Sequence, residues 1–289
     1  MPKLRIAAIS AWVTLALGLS SVALANHPVI VEGNCLNPPT GNPGPVLPGT
    51  CADYDGDTRI GTAEDADGDR VFGTITAALG PGTGANQNGR VIVVSSGTFA
   101  EVVNITAANG NVTLEAAPGV EANIDAVLQG DPGNAARQNA PGIIINSPAD
   151  RIVILRNLTV RNWTIGIDIR GDSRVIIENV RVENNTNWGI RVQDNARVTI
   201  AKSEVHATGF RVGAMDFPRV NPPAPGVGIE FEGRSSGSIF HTTVASSFRA
   251  GVKDSTRGQI CLSHVQLFDN HPNRDGAGRN RSDCERHDD

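Results

Sequence analysis

The sequence predicts an all-β solenoid, and three observations carry that prediction. The dipeptide Gly-Ile or Gly-Val recurs at Gly142, Gly166, Gly189, Gly228 and Gly251, which lie, by subtraction, 24, 23, 39 and 23 residues apart. An apolar run follows each dipeptide nine or ten residues later: Ile152-Val153-Ile154, Val175-Ile176-Ile177, Val198-Thr199-Ile200, Ser238-Ile239-Phe240 and Ile260-Cys261-Leu262. Aromatic residues make up only 4% of the chain while glycine numbers 32, a balance that disfavours a helical bundle and favours short strands joined by frequent turns. A unit near 23 residues buries its apolar face only by stacking on its neighbours.

Taken in chain order, residues 1–25 read as a signal peptide. Lys3 and Arg5 precede an apolar run from Ile6 to Val22 that closes on Ala23-Leu24-Ala25, a small-residue cleavage site. The plain alternative is an uncleaved membrane anchor. Loss of Lys3 and Arg5 leaves 23 cations against 30 acids, so the formal charge moves from −5 to −7. A secreted or periplasmic protein of that charge is a poor candidate for binding nucleic acid.

Residues 26–89 form an N-terminal segment with three features. Cys35 and Cys51 make a close pair, matched near the other end by Cys261 and Cys284, and two disulfide clasps are the simplest reading in an oxidising compartment. The zinc alternative lacks a Cys-x-x-Cys and a suitably spaced histidine. In "DYDGDTRIGTAE", Asp53, Asp55, Asp57, the Arg59 carbonyl and Glu64 fall at positions 1, 3, 5, 7 and 12 of an EF-hand-type loop, which predicts structural calcium. Thr58 replaces the usual glycine at position 6, and a solvated acidic linker is the competing reading. Finally, "GTITAALG" predicts a short helix with Thr74 as cap and Ile75 and Leu79 on one face.

Residues 90–270 carry the repeat. Each period holds a third short run after a two-residue bend, seen as "LTV", "VRV", "SEV", "TTV" and "VQL", which leaves no room for a helix. The aligned strings "GIDIRGDSRVIIENVRVENN" and "GIRVQDNARVTIAKSEV" resemble the right-handed parallel β-helix of the pectate-lyase-like superfamily. "RVIVVSSGTFAEVVNI" and "NVTLEAAPGVEANIDA" look like one or two less regular coils upstream. The resemblance implies an N-terminal plug, formed by the short helix, and a stacked asparagine ladder at the bend between second and third strands. Asn157 and Asn179 hold that bend, followed by Lys202, His241 and His264. With Val175, Ile177, Val198 and Ile200 inward, Ile176, Thr199 and Cys261 face outward, where Cys261 can meet Cys284 in the tail of residues 271–289.

The outward face of the first strand is the candidate site. With Ile167, Ile190, Ile229 and Val252 pointing in, Asp168, Arg191, Glu230 and Lys253 stack outward, one per coil, about 4.8 Å apart. Arg170, Gln193, Glu232 and Ser255 form a parallel row. Trp163 and Trp188 flank the face as stacking surfaces, and about 16 extra residues within 207–226, the difference between periods of 39 and 23, would overhang it. Charge balance between adjacent strands is the bland account of the row. The other is a groove for extracellular or cell-wall polysaccharide, the face that carbohydrate-active β-helices use.

Catalysis has weaker support. A lyase reading would use Arg191 or Lys253 as base or charge neutraliser, with Asp168 and Glu230 holding calcium. A hydrolase reading would use Glu230 and Glu232, roughly 6.5 to 7 Å apart on one face. The Arg-x-Pro-x-x-Arg and Trp-x-Asp-His strings of pectate lyases are missing, as are the motifs of polygalacturonases and pectin methylesterases, so no catalytic residue is carried over. A polysaccharide-binding protein is the leading reading; a lyase, hydrolase or epimerase of acidic glycans and a structural surface protein are the alternatives.

Overall fold

In a computed structural model of the chain, residues 28–32, 71–80, 89–126, 139–209 and 225–276 are described. Residues 1–25, read above as a signal peptide, Cys35 and Cys51, the segment carrying Asp53, Asp55, Asp57, Arg59 and Glu64, and Cys284 lie outside them. Three parallel sheets of nine, seven and seven strands form the walls of a solenoid. One coil shows the rule: Ile165–Ile169 is its first strand, Arg174–Glu178 its second and Arg181–Glu183 its third. Each pairs in parallel with its counterpart one repeat later, Ile167 beside Ile190, Ile177 beside Ile200 and Val182 beside Val205.

The upstream strings form two coils. Arg90–Val93, Gly97–Phe99 and Val103–Thr106 make one, and Val112–Ala116, Ala122–Asp125 and Pro141–Asn146 make the next. Strands Val29–Val31 and Val71–Phe72 extend the second-strand sheet further, and Arg274–Gly276 adds a last strand to the first-strand sheet. The core is the stack of inward side chains, with Ile167, Ile190 and Ile229 fully buried. Each contributes about 1.5–3 kcal/mol through apolar burial.

Helix Ile75–Ala78 closes the N-terminal end, with Ile75 and Leu79 buried against the first coil. Thr74 Oγ1 accepts from Ala77 N at 3.2 Å. The Glu101 carboxylate accepts from Ile75 N and Thr76 N at 2.8 Å each, so donors that the helix start leaves unpaired are satisfied.

Packing explains the recurrent glycine. A Cβ at Gly166 would lie 2.6 Å from Gly189 O and 2.7 Å from Val182 Cγ1, and one at Gly228 would meet Gly251 O and Val244 Cγ1 at 2.6 and 2.7 Å. Third strand and first strand approach at this corner until only a hydrogen fits. From Asn157 onward, single left-handed residues also turn the chain after the second and the third strand. Asn157, Asn179, Lys202, His241 and His264 have φ between 45° and 55° at the bend after the second strand. Asn162, Asn184, Ala207, Ser246 and Asp269 repeat the device after the third strand. Asparagine tolerates this region best, which accounts for its frequency in the early coils.

Candidate functional site

The glycine corner also sets the direction of the first strand. Gly166 faces inward against Val182, and Ile167 faces inward again, so the residues on either side of the pair, Ile165 and Asp168, point outward. The same kink in the next coil turns Trp188 and Arg191 to the outer face. The row Asp168, Arg191, Glu230, Lys253 is in register as expected, preceded by Asn104 and Ile144 and followed by Asp275.

The row's chemistry differs from simple alternation. Asp168 is completely buried beneath its neighbours, accepting from Arg170 Nε at 2.8 Å and Gln193 Nε2 at 2.7 Å. Glu230 is equally buried and accepts from Lys253 Nζ at 2.5 Å, from Ser255 Oγ at 3.3 Å and from the Trp188 indole. Arg191 bridges neither acid. Its Nη2 donates to Glu232 at 2.7 Å and its guanidinium lies 4.4 Å from the centre of the Trp188 ring. A cation held over an indole and tied to a carboxylate has little freedom left to lose on binding.

Two expectations are corrected here. Trp163 does not flank the face: it is wholly buried, and its Nε1 donates to Ile124 O at 2.9 Å. It follows the left-handed Asn162 by one residue, an inward position, whereas Trp188 opens its strand on the outer face. Asp168 and Glu230 face outward but are covered, so they hold the face's own cations rather than a ligand. The side chains that reach solvent are Arg170, Lys253, Glu232 and Arg191, at 43, 35, 29 and 24% exposure. With Gln193 and Trp188 they form the accessible patch.

A buried ladder inside the third corner escaped the sequence reading. Trp163, Asn185, Thr208, Ser247 and Asn270 each follow a left-handed residue by one place, and all but the first are polar. Asn185 Oδ1 accepts from Trp163 N at 3.0 Å, and Asn270 Oδ1 accepts from Ser247 N at 2.8 Å, joining successive coils from within. The constant offset from the bend was the available signal.

The third-strand wall has its own charge ladder. Asp125 is buried under Arg161, at 2.6 Å, and Glu183 under Arg181, at 2.8 Å, with His206 Nε2 3.1 Å from the same carboxylate. Burial opposes the Arg161 charge, but Asp125 and Glu183 outweigh it and raise its pKa. The outward asparagine ladder is two residues long: Asn179 Nδ2 donates to Asn157 Oδ1 at 2.8 Å, with Asn157 part-buried and Asn179 exposed. Lys202 breaks it, and His241 and His264 stack beyond. Cys261 pairs with Ser238, which pairs in turn with Thr199, in the outward register expected of it. The insertion of residues 207–226 leaves after the third strand and returns at Gly226, where a Cβ would lie 3.5 Å from Gly209 Cα. Residues 210–224 are outside the described set.

A family model described as a right handed beta helix region matches residues 86–267. The chain belongs to the right-handed β-helix family. The match begins and ends close to the repeat read from glycine spacing, and the coils of this β-helix account for every strand within it. Among solved structures, the crystal structure of pectate lyase Pel9A matches with a TM-score of 0.40 at 10% sequence identity, over 86% of this chain and 79% of that one. No curated protein matches. Among the described residues, no helix is long and apolar enough to cross a membrane.

Proposed function

We propose that this β-helix binds extracellular or cell-wall polysaccharide along its first-strand face, as a secreted or periplasmic protein. The observation that carries the reading is the Trp188–Arg191–Glu232 arrangement, a partly exposed indole whose neighbours are held in place before any ligand arrives. Saccharides are recognised by an apolar ring face together with fixed donors and acceptors, and Trp188, Arg170, Arg191, Gln193, Glu232 and Lys253 supply both. The parallel strands repeat these groups along one direction, a fit to a polymer rather than to a small molecule.

Glu230 and Glu232 make a poor hydrolytic pair. Each is an acceptor already bound by a cation, Lys253 or Arg191, so its oxygens are engaged before any substrate arrives. Binding without turnover is therefore the reading preferred over lyase, hydrolase or epimerase activity. Structural calcium at Asp53, Asp55, Asp57, Arg59 and Glu64, and the two disulfides, stay proposals alongside it; calcium that raises the melting temperature, and loses that effect in Asp55→Ala, would support the first.

The test is a glycan array followed by affinity electrophoresis with Trp188→Ala. Retention by the wild type and its loss in the variant, with the melting temperature nearly kept, is the expected result. Unchanged retention on every glycan the wild type binds would reduce the face to structure.

A further inference from the structure

A second site lies at the opposite bend of the coil, where His241 and His264 occupy the same position on adjacent coils. Their rings are nearly parallel, 16° apart, with centroids 4.7 Å from each other, and both side chains are exposed. Each residue is left-handed, with φ of 45° and 52°, and His241 N donates to Ser263 O at 3.1 Å, so the backbone projects both imidazoles the same way.

We propose that this pair is a binding site for a divalent first-row transition metal, with copper(II) and nickel(II) favoured. The proposal does not depend on the polysaccharide reading. Neutral imidazole is the common side-chain ligand for these ions, at metal–nitrogen distances near 2.0–2.1 Å for zinc and similar metals. Two ring nitrogens can share one ion when they lie within about 4 Å, twice that distance. Stacked rings 4.7 Å apart direct their in-plane lone pairs side by side, so both imidazoles must turn about χ1 and χ2 to converge on one ion, a rotation that exposed side chains permit.

Two neighbours prepare the site. Ser263 Oγ is 2.9 Å from His264 Nδ1; when that nitrogen carries the proton and the hydroxyl accepts it, Nε2 keeps its lone pair for the ion. Lys202, at the same bend one coil before His241, would repel a cation, but its Nζ is drawn 3.2 Å to Glu178 Oε1. No cluster of three or more histidine, cysteine or acidic ligands occurs among the described residues, so water completes the coordination. A site without carboxylate or thiolate excludes calcium and magnesium and follows the order copper above nickel above cobalt.

The test uses the tag-free mature protein titrated with copper(II) and followed by calorimetry and electron paramagnetic resonance. The variants are His241→Asn and His264→Asn, because asparagine already occupies this left-handed position at Asn157 and Asn179 and leaves the fold intact. One copper per chain, with hyperfine structure from two imidazoles, and binding at least tenfold weaker in either variant is the expected result. Equal affinity in wild type and both variants, or a wild-type signal from one imidazole, overturns the proposal. His206→Asn serves as control for histidine elsewhere and should leave the affinity unchanged.

Discussion

The first-strand and third-strand walls solve one electrostatic problem in the same way and differ in one residue type. Both bury carboxylates, Asp168 and Glu230 on one, Asp125 and Glu183 on the other, beneath arginine or lysine side chains that reach solvent. Successive coils place outward residues about 4.8 Å apart, so an unpaired charge there would face its neighbours directly and must be matched. A charged ladder is thus what stacking demands and does not mark a site. Trp188 is the difference: the third-strand wall has no aromatic ring held beneath a cation among its described residues, and the first-strand wall has one.

The largest expected effect tests the two tryptophans against each other. Trp163→Ala should remove about 3–5 kcal/mol of stability in denaturant unfolding, because it empties a packed corner and frees Ile124 O. Glycan retention by the surviving folded fraction should be unchanged. A loss below about 1 kcal/mol would show that Trp163 is not core.

Next come the buried acids. Glu230→Ala and Glu183→Ala should each destabilise by about 2 kcal/mol, since each strands a cation whose own exposure moderates the penalty. Only Glu230→Ala should also weaken glycan retention, because it releases Trp188 and Lys253. Equal effects on binding from the two walls would remove the distinction drawn between them.

Trp188→Phe separates platform from hydrogen bond. It keeps an aromatic face but withdraws the indole donor from Glu230, so a stability loss of about 1 kcal/mol with most glycan retention kept is expected. Complete loss of retention would assign recognition to the indole N–H instead.

The smallest effect belongs to the second-strand wall. The pKa of Glu178 is lowered chiefly by the hydrogen bond from Lys202; burial opposes this, and the charges of Lys202 and Arg156 add to the lowering. A depressed folded-state pKa contributes stability above the unfolded-state value and loses it as pH falls through the folded-state value. Wild type should therefore melt slightly above Glu178→Gln at pH 7, and the gap should close as pH falls through the lowered folded-state value. A constant gap across that range would mean that Lys202 is not coupled to this carboxylate.

Much of this was legible in the residues and some was not. The strand triplet, the register through Ile167 and Ile190, the cap at Thr74 and the outward row from Asp168 to Lys253 all follow from short periods that repeat. Trp163 was misread because both tryptophans precede a Gly-Ile, although Trp163 stands three residues before Gly166, inside the corner, and Trp188 stands immediately before Gly189, on the strand. The internal ladder of Asn185, Thr208, Ser247 and Asn270 is harder to read because its residues differ in type and only their offset from a bend signals it.

By itself the sequence determined that this chain is a β-helix, since a repeat with alternating apolar residues and a glycine at the tight corner has no other way to bury its surface. Only the tertiary structure decided which outward groups are available. Whether Asp168 lies open or beneath Arg170 and Gln193, and whether Arg191 meets an acid or an indole, depends on long side chains choosing among neighbours on other coils. Backbone period places a side chain on a wall; packing between coils decides what that side chain touches.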